Sequence, residues 1–174
     1  MIKYIFIFLI PFHFIACGYH FSLIEARRAK AISEVSLGVE KIYIQLFQNH
    51  TPKRGLENNF LNALVYEFNT GKGLQIVKKT EAEAFLLGEL TGYRATGIAY
   101  TKGEYTATGR ISLTVKAILK DREGKILWQK TISDQEEYQV TNNPSETKSN
   151  REIALQRILD RLAERIYEGL IMGI

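Results

Sequence analysis

Arg110-Ile111-Ser112-Leu113-Thr114-Val115-Lys116-Ala117-Ile118-Leu119-Lys120 is the stretch that decides the fold. Ile111, Leu113, Val115, Ala117 and Leu119 fall on one side of an extended chain. Arg110, Ser112, Thr114 and Lys116 fall on the other. Side chains alternate along a strand, so this pattern calls for a sheet with one covered face and one polar face. On its C-terminal side Asp121-Arg122-Glu123-Gly124 is a tight turn into an antiparallel strand from Lys125 to about Tyr138. On its N-terminal side lies another strand, from Phe85 to about Tyr100.

The covered face needs a lid, and two amphipathic segments supply it. Leu56, Phe60, Leu64 and Phe68 recur at helical spacing, with Leu61 and Val65 beside them, predicting a helix from about Gly55 to Asn69. Gly71 and Gly73 close it, as residues able to reach positive φ. Lys41 to Phe47 before this helix and Leu74 to Lys78 after it read as strands, which makes a βαβ unit with parallel strands. Asn142-Asn143-Pro144-Ser145 reads as a loop, and Ser149 with Glu152 as a capping box for a last helix. That helix carries Leu155, Ile158, Leu159, Leu162, Ile166 and Leu170 as its stripe. The prediction is an α+β two-layer sandwich: a mixed four- to five-stranded sheet with two helices packed on one face. No internal repeat, low-complexity tract or second domain is visible.

The N-terminus carries the chain's single cysteine, Cys17. Lys3 followed by the apolar run from Tyr4 to Phe14, about eleven residues, has the parts of an export signal. It is shorter than the roughly 20 apolar residues that span a bilayer. Ala16 before Cys17 suits a lipoprotein signal peptidase, although Phe14 stands where Leu is commoner and one basic residue where two or three are usual. The expectation is a signal peptide at 1–16, an N-acyl and S-diacylglycerol lipid (palmitate chains) on Cys17, a tether at 17–40 and a domain at 41–174. An ordinary signal peptide followed by a stray cysteine is the alternative. Gly18 resembles the outer-membrane sorting class, where Asp would retain a lipoprotein at the inner membrane. With no second cysteine, no disulfide within the chain can support the fold. A formal net charge of +4 permits an anionic partner without demanding one.

Enzymatic chemistry finds little to stand on. Gly71-Lys72-Gly73 lacks the phosphate-loop spacing and ends a helix where that motif starts one. His20 and His50 are the only histidines beyond the signal, too few for a His/Cys zinc set. There is no Gly-x-Ser-x-Gly. Glu136 with Glu137, and Asp121 with Glu123, read as solvated acids at turns or strand ends. No nucleophile, base and orienter can be nominated, and no cofactor, metal or nucleic-acid partner is expected.

At this point the residues show a likeness. Cys17-Gly18-Tyr19-His20-Phe21 resembles the mature start of the LptE family. The stretch Ile42 to Thr51, ending Phe47-x-Asn49-x-Thr51, is similar to that family's first strand. Gly55-Leu56-Glu57 and Leu61-x-x-Leu64-x-x-Glu67-Phe68 are similar to its first helix. Ala82-Glu83-Ala84-Phe85-Leu86-Leu87-Gly88 and Gly124-Lys125-Ile126-Leu127-Trp128 follow its acidic lead into a strand and its hairpin with a terminal Trp. Gln45 and Leu46 depart from the family's usual Pro in the first strand, and the stretch from Phe21 to Leu37 is longer than in its relatives. The order and spacing of these pieces, more than any one motif, carry the resemblance.

The resemblance implies a non-enzymatic lipoprotein of the Gram-negative outer membrane, on the periplasmic face. It would sit in the lumen of the LptD β-barrel, help that barrel assemble, and bind lipopolysaccharide on its way to the cell surface. A polar, slightly basic domain suits a water-lined barrel, and Lys and Arg suit the phosphates of an anionic lipid. Arg94, Arg110 and Lys116 are the candidate lipopolysaccharide contacts, the last two on the polar face; their alternative is plain solvation. Tyr93, Tyr100, Tyr105 and Tyr138 are either interface residues or tyrosines placed by sheet propensity. The ending Phe47-x-Asn49 is also similar to the CsgG and LpoB group of secretion-channel subunits and peptidoglycan-synthase activators. Their small-residue, Pro-rich strand and long tether are not evident here.

Overall fold

The computed structural model describes residues 37–100 and 107–173, without the side chains of 98–100. Cys17, Tyr105 and residues 17–36 of the expected tether at 17–40 therefore lie outside the described residues. The elements are β1 (Lys41–Ile44), β2 (Gln48–Asn49), α1 (Leu56–Thr70), β3 (Gln75–Ile76), β4 (Ala84–Tyr100), β5 (Ala107–Asp121), β6 (Ile126–Val140) and α2 (Pro144–Met172). They build one mixed sheet in the order β3-β1-β4-β5-β6, with β2 also on β4. β1 runs parallel to β3 and β4, as the βαβ reading requires, and β4-β5-β6 are antiparallel.

The sheet has six strands instead of four to five because the first strand is split. Ile44 pairs Leu86 and Gln48 pairs Glu89, so one side advances four residues while the other advances three. The extra residue breaks the ladder and lets Phe47 turn into the core between exposed Leu46 and Gln48. A second irregularity falls between Leu90 and Gly92. Before it Ala84, Leu86 and Leu90 are buried; after it Tyr93 and Ala95 stand opposite the core residues Leu113 and Ile111. Thr91 is the inserted residue, and it exchanges the two faces of β4.

β5 keeps its alternation from end to end, with Ile111, Leu113, Val115, Ala117 and Leu119 all buried. Both helices cover that side. Leu56, Phe60, Leu64 and Phe68 of α1 and Leu155, Ile158, Leu159, Leu162, Ile166 and Leu170 of α2 join the same core. Fully burying each such side chain is worth about 1.5–3 kcal/mol.

Two terminal readings need correction. α2 starts at Pro144, not near Ser149: Asn143 accepts from the Ser145 N–H at 3.0 Å, and Pro sits where no helical N–H is required. Glu152 is freed from any capping role and pairs with Lys53 across the domain at 2.5 Å. At the end of α1, Gly73 takes the positive φ of 104° while Gly71 is extended at −74°. Gly71 is small for another reason: a Cβ there would overlap the ring of Tyr167. The Tyr167 hydroxyl donates to the Lys72 carbonyl at 2.6 Å, which binds the end of α1 to α2.

The shared motif residues have packing roles. Phe47 meets Phe60 edge to face at 5.2 Å. Asn49 donates to the Lys53 carbonyl and to Glu57, and accepts from the Thr51 N–H and hydroxyl, tying β2 to the first turn of α1. Glu83 accepts from the N–H groups of Glu40 and Lys41 at 2.9 and 3.1 Å, fixing the start of β1. Gly124, at φ 88°, turns the β5–β6 hairpin while Asp121 accepts from the N–H groups of Glu123 and Lys125, and Trp128 enters the core.

Candidate binding surface on the open face of the sheet

The face turned away from the helices is the one large surface the sheet leaves uncovered among the described residues, and strand register fixes its composition. Side chains directly opposite share a face. Successive rows across β4, β5 and β6 read Leu87-Ile118-Gln129, then Glu89-Lys116-Thr131, then Arg94-Ser112-Gln135, then Thr96-Arg110-Glu137. Between the second and third, Thr114 and Ser133 share a hydrogen bond at 2.9 Å. Phe85 lies beyond the first row and meets Tyr43 edge to face at 6.4 Å. The surface therefore grades from apolar, near the β5–β6 turn, to charged at the other end.

All three candidate cations lie on this face. Arg94 is exposed and has no ion-pair partner among the described residues. Arg110 sits diagonally beside it and pairs with Glu137 at 2.7 Å. With those side chains 39% and 56% exposed, that pair is worth no more than about 1 kcal/mol and can be exchanged for another anion. Lys116 stands apart, opposite Glu89, on the rim of a shallow pocket of ≈ 50 Å³ shared with Leu46, Leu87 and Ile118. The geometry offers two neighbouring guanidinium groups and a separate lysine beside an apolar strip.

The tyrosines divide. Tyr138 is buried over Gly109, where a Cβ would overlap its ring. Tyr93 stands on the helix side, and burial pushes its hydroxyl up from the ordinary tyrosine range, opposed by the charges of Lys53 and Arg151. Both are placed by sheet packing, not by an exposed interface; the Tyr100 side chain and Tyr105 lie outside the described residues. Arg151 escaped sequence reading. Its guanidinium lies 5.4 Å from the Tyr138 ring centre and its buried Nε has no hydrogen-bond partner. Nothing in the pattern of α2 marks that residue, because its partner is a ring on β6. Glu136 and Glu137 are not merely solvated either: Glu136 pairs with Arg157 and Arg161, and Glu137 with Arg110.

Among the described residues no group of acids and histidines is arranged to hold a metal, and no helix is long and apolar enough to cross a membrane.

The sequence profile of the LptE family, described as lipopolysaccharide-assembly, matches residues 39–170. No curated protein sequence matches. Among solved structures, a minor lipoprotein from Acinetobacter baumannii is 18% identical over 78% of this chain and 92% of its own, with a TM-score of 0.49. A protein from Caulobacter crescentus is 12% identical over 84% of this chain and 96% of its own, with a TM-score of 0.53. A hypothetical protein from Chlamydia trachomatis is 12% identical over 78% and 99%, also at 0.53. The last two share the fold. The profile match runs from before β1 into the last turn of α2, and on it the chain belongs to the LptE family of lipopolysaccharide-assembly proteins.

Proposed function

We propose that this chain is an outer-membrane lipoprotein, acylated at Cys17 and held on the periplasmic face, that partners an LptD-type β-barrel in delivering lipopolysaccharide to the cell surface. It serves as plug and assembly factor for the barrel and as a lipopolysaccharide-binding component, and it performs no catalysis. The family match over 39–170 carries the reading. The open face supports it: apolar side chains at one end and Arg94 with Arg110 at the other suit an amphiphile with phosphate groups.

The test is lipopolysaccharide binding by the full chain and by Arg94→Ala/Arg110→Ala/Lys116→Ala. The variant should bind several-fold more weakly, with an unchanged unfolding midpoint and a shallower salt dependence. Equal binding by both proteins would remove these three residues from the reading. Cys17→Ala should lose acyl labelling and membrane retention; unchanged labelling would remove the anchor.

A further inference from the structure

β6 closes one side of the sheet: β5 pairs its inner edge and no described strand pairs its outer one. Along an antiparallel strand, alternate residues point both N–H and C=O away from the partner. On β6 these are the odd-numbered residues, and three of their carbonyls are met by side chains of α2. Arg165 donates to Ser133 at 3.3 Å, Arg161 to Gln135 at 3.2 Å, and Asn150 to Gln139 at 3.1 Å. Two of these donors are held in place by acids on the same strand. Arg161 binds Asp134 at 2.6 Å and Glu136 at 3.0 Å, and Arg165 approaches Asp134 at 3.8 Å. Asp134 and Glu136 stand opposite Leu113 and Ile111, on the helix-covered side where an interior strand would carry apolar residues.

Pinning α2 does not require this arrangement, since the helix already buries Leu155, Ile158, Leu159, Leu162, Ile166 and Leu170. What the row adds is occupancy of three acceptors that an incoming strand would use, those of Ser133, Gln135 and Gln139. Inward-pointing charges and covered edges are how sheets avoid edge-to-edge pairing. We propose that Asn150, Arg161 and Arg165 form a guard on the outer edge of β6, and that the strand they exclude is β6 of a second copy of this chain. Self-pairing is the favoured alternative because β6 is complementary to itself. An antiparallel two-fold about Ser133 sets Lys130 of each copy against Glu136 of the other, and joins the two sheets into one.

The experiment is sedimentation velocity of the purified full chain in detergent across a concentration series, with unfolding midpoints measured in parallel. Asn150→Ala/Arg161→Ala/Arg165→Ala should convert a monomer into a species whose protein mass doubles as concentration rises. Adding Gln135→Pro removes an outward N–H without breaking a bond to β5, and should restore the monomer. If the triple variant does not fold, Asn150→Ala/Arg165→Ala keeps the Arg161 ion pairs and carries the same test. A guardless variant that stays monomeric with a lowered midpoint would show that the row only pins α2. Association that survives Gln135→Pro would place the contact elsewhere. Either result overturns the guard.

Discussion

Gly88 is the residue that makes room for Phe47: a Cβ built on Gly88 would overlap both the Phe47 ring and the backbone oxygen of Lys116. One of those neighbours is backbone within the sheet and cannot step aside. Gly88→Ala should therefore cost about 1–3 kcal/mol, the range for overpacking a filled site. Gly97→Ala, on the same strand with nothing within 4 Å of the added carbon, should stay within about 0.5 kcal/mol of the parent. Urea unfolding midpoints of the two variants check the contrast.

Asn49 makes both its amide and its carbonyl count. It donates at 2.8 Å to Lys53 and 2.7 Å to Glu57, and accepts at 3.0 and 2.7 Å from Thr51. Asn49→Ala leaves several part-buried groups without partners, for a loss of about 1–3 kcal/mol. Asn49→Asp sets a carboxylate against Glu57 and should be at least as damaging at neutral pH. Part of that loss should return as the introduced carboxylate protonates, which the denaturation midpoint measured against pH would show.

These two residues also mark how far the sequence could be read. The alternation of β5 and the stripes of both helices are local patterns, so the single covered face and the two-layer architecture were legible. Arg110 and Lys116 followed from the same alternation. Arg94 did not: it shares even parity with buried Ala84, Leu86 and Leu90, and only the insertion at Thr91 turns it outward. The break between β1 and β2 likewise depends on how many residues β4 offers across the gap. Gly71 answers to Tyr167, and Asp134 to Arg161, each far away in the chain. Reasons supplied by a distant partner leave no periodic trace.

Acid titration should separate two carboxyl groups displaced in opposite directions from the ordinary glutamate range. Hydrogen bonds from the N–H groups of Glu40 and Lys41 hold Glu83 below the usual glutamate range. A lowered folded-state pKa gives stability that is present above the unfolded value, about 4.3, and is lost as pH falls through the folded one. Burial, then the nearby charges of Glu164, Glu168 and Asp160, push Glu67 the other way. Its charged form opposes folding, so that penalty is absent well below pH 4 and grows as pH rises through the folded value. Glu83→Gln should lower the unfolding midpoint at pH 7 and lose its effect in acid. Glu67→Gln should raise the midpoint at pH 7 and also converge with the parent in acid. Thermal unfolding at pH 3 and pH 7 checks both.

Affinity capture of the full chain from detergent-solubilised outer membranes puts the proposed partnership to its most direct test. A large β-barrel recovered at a fixed ratio to the captured chain is the predicted result. Recovery of a peptidoglycan synthase, a ring of identical copies, or the chain without any barrel would contradict it.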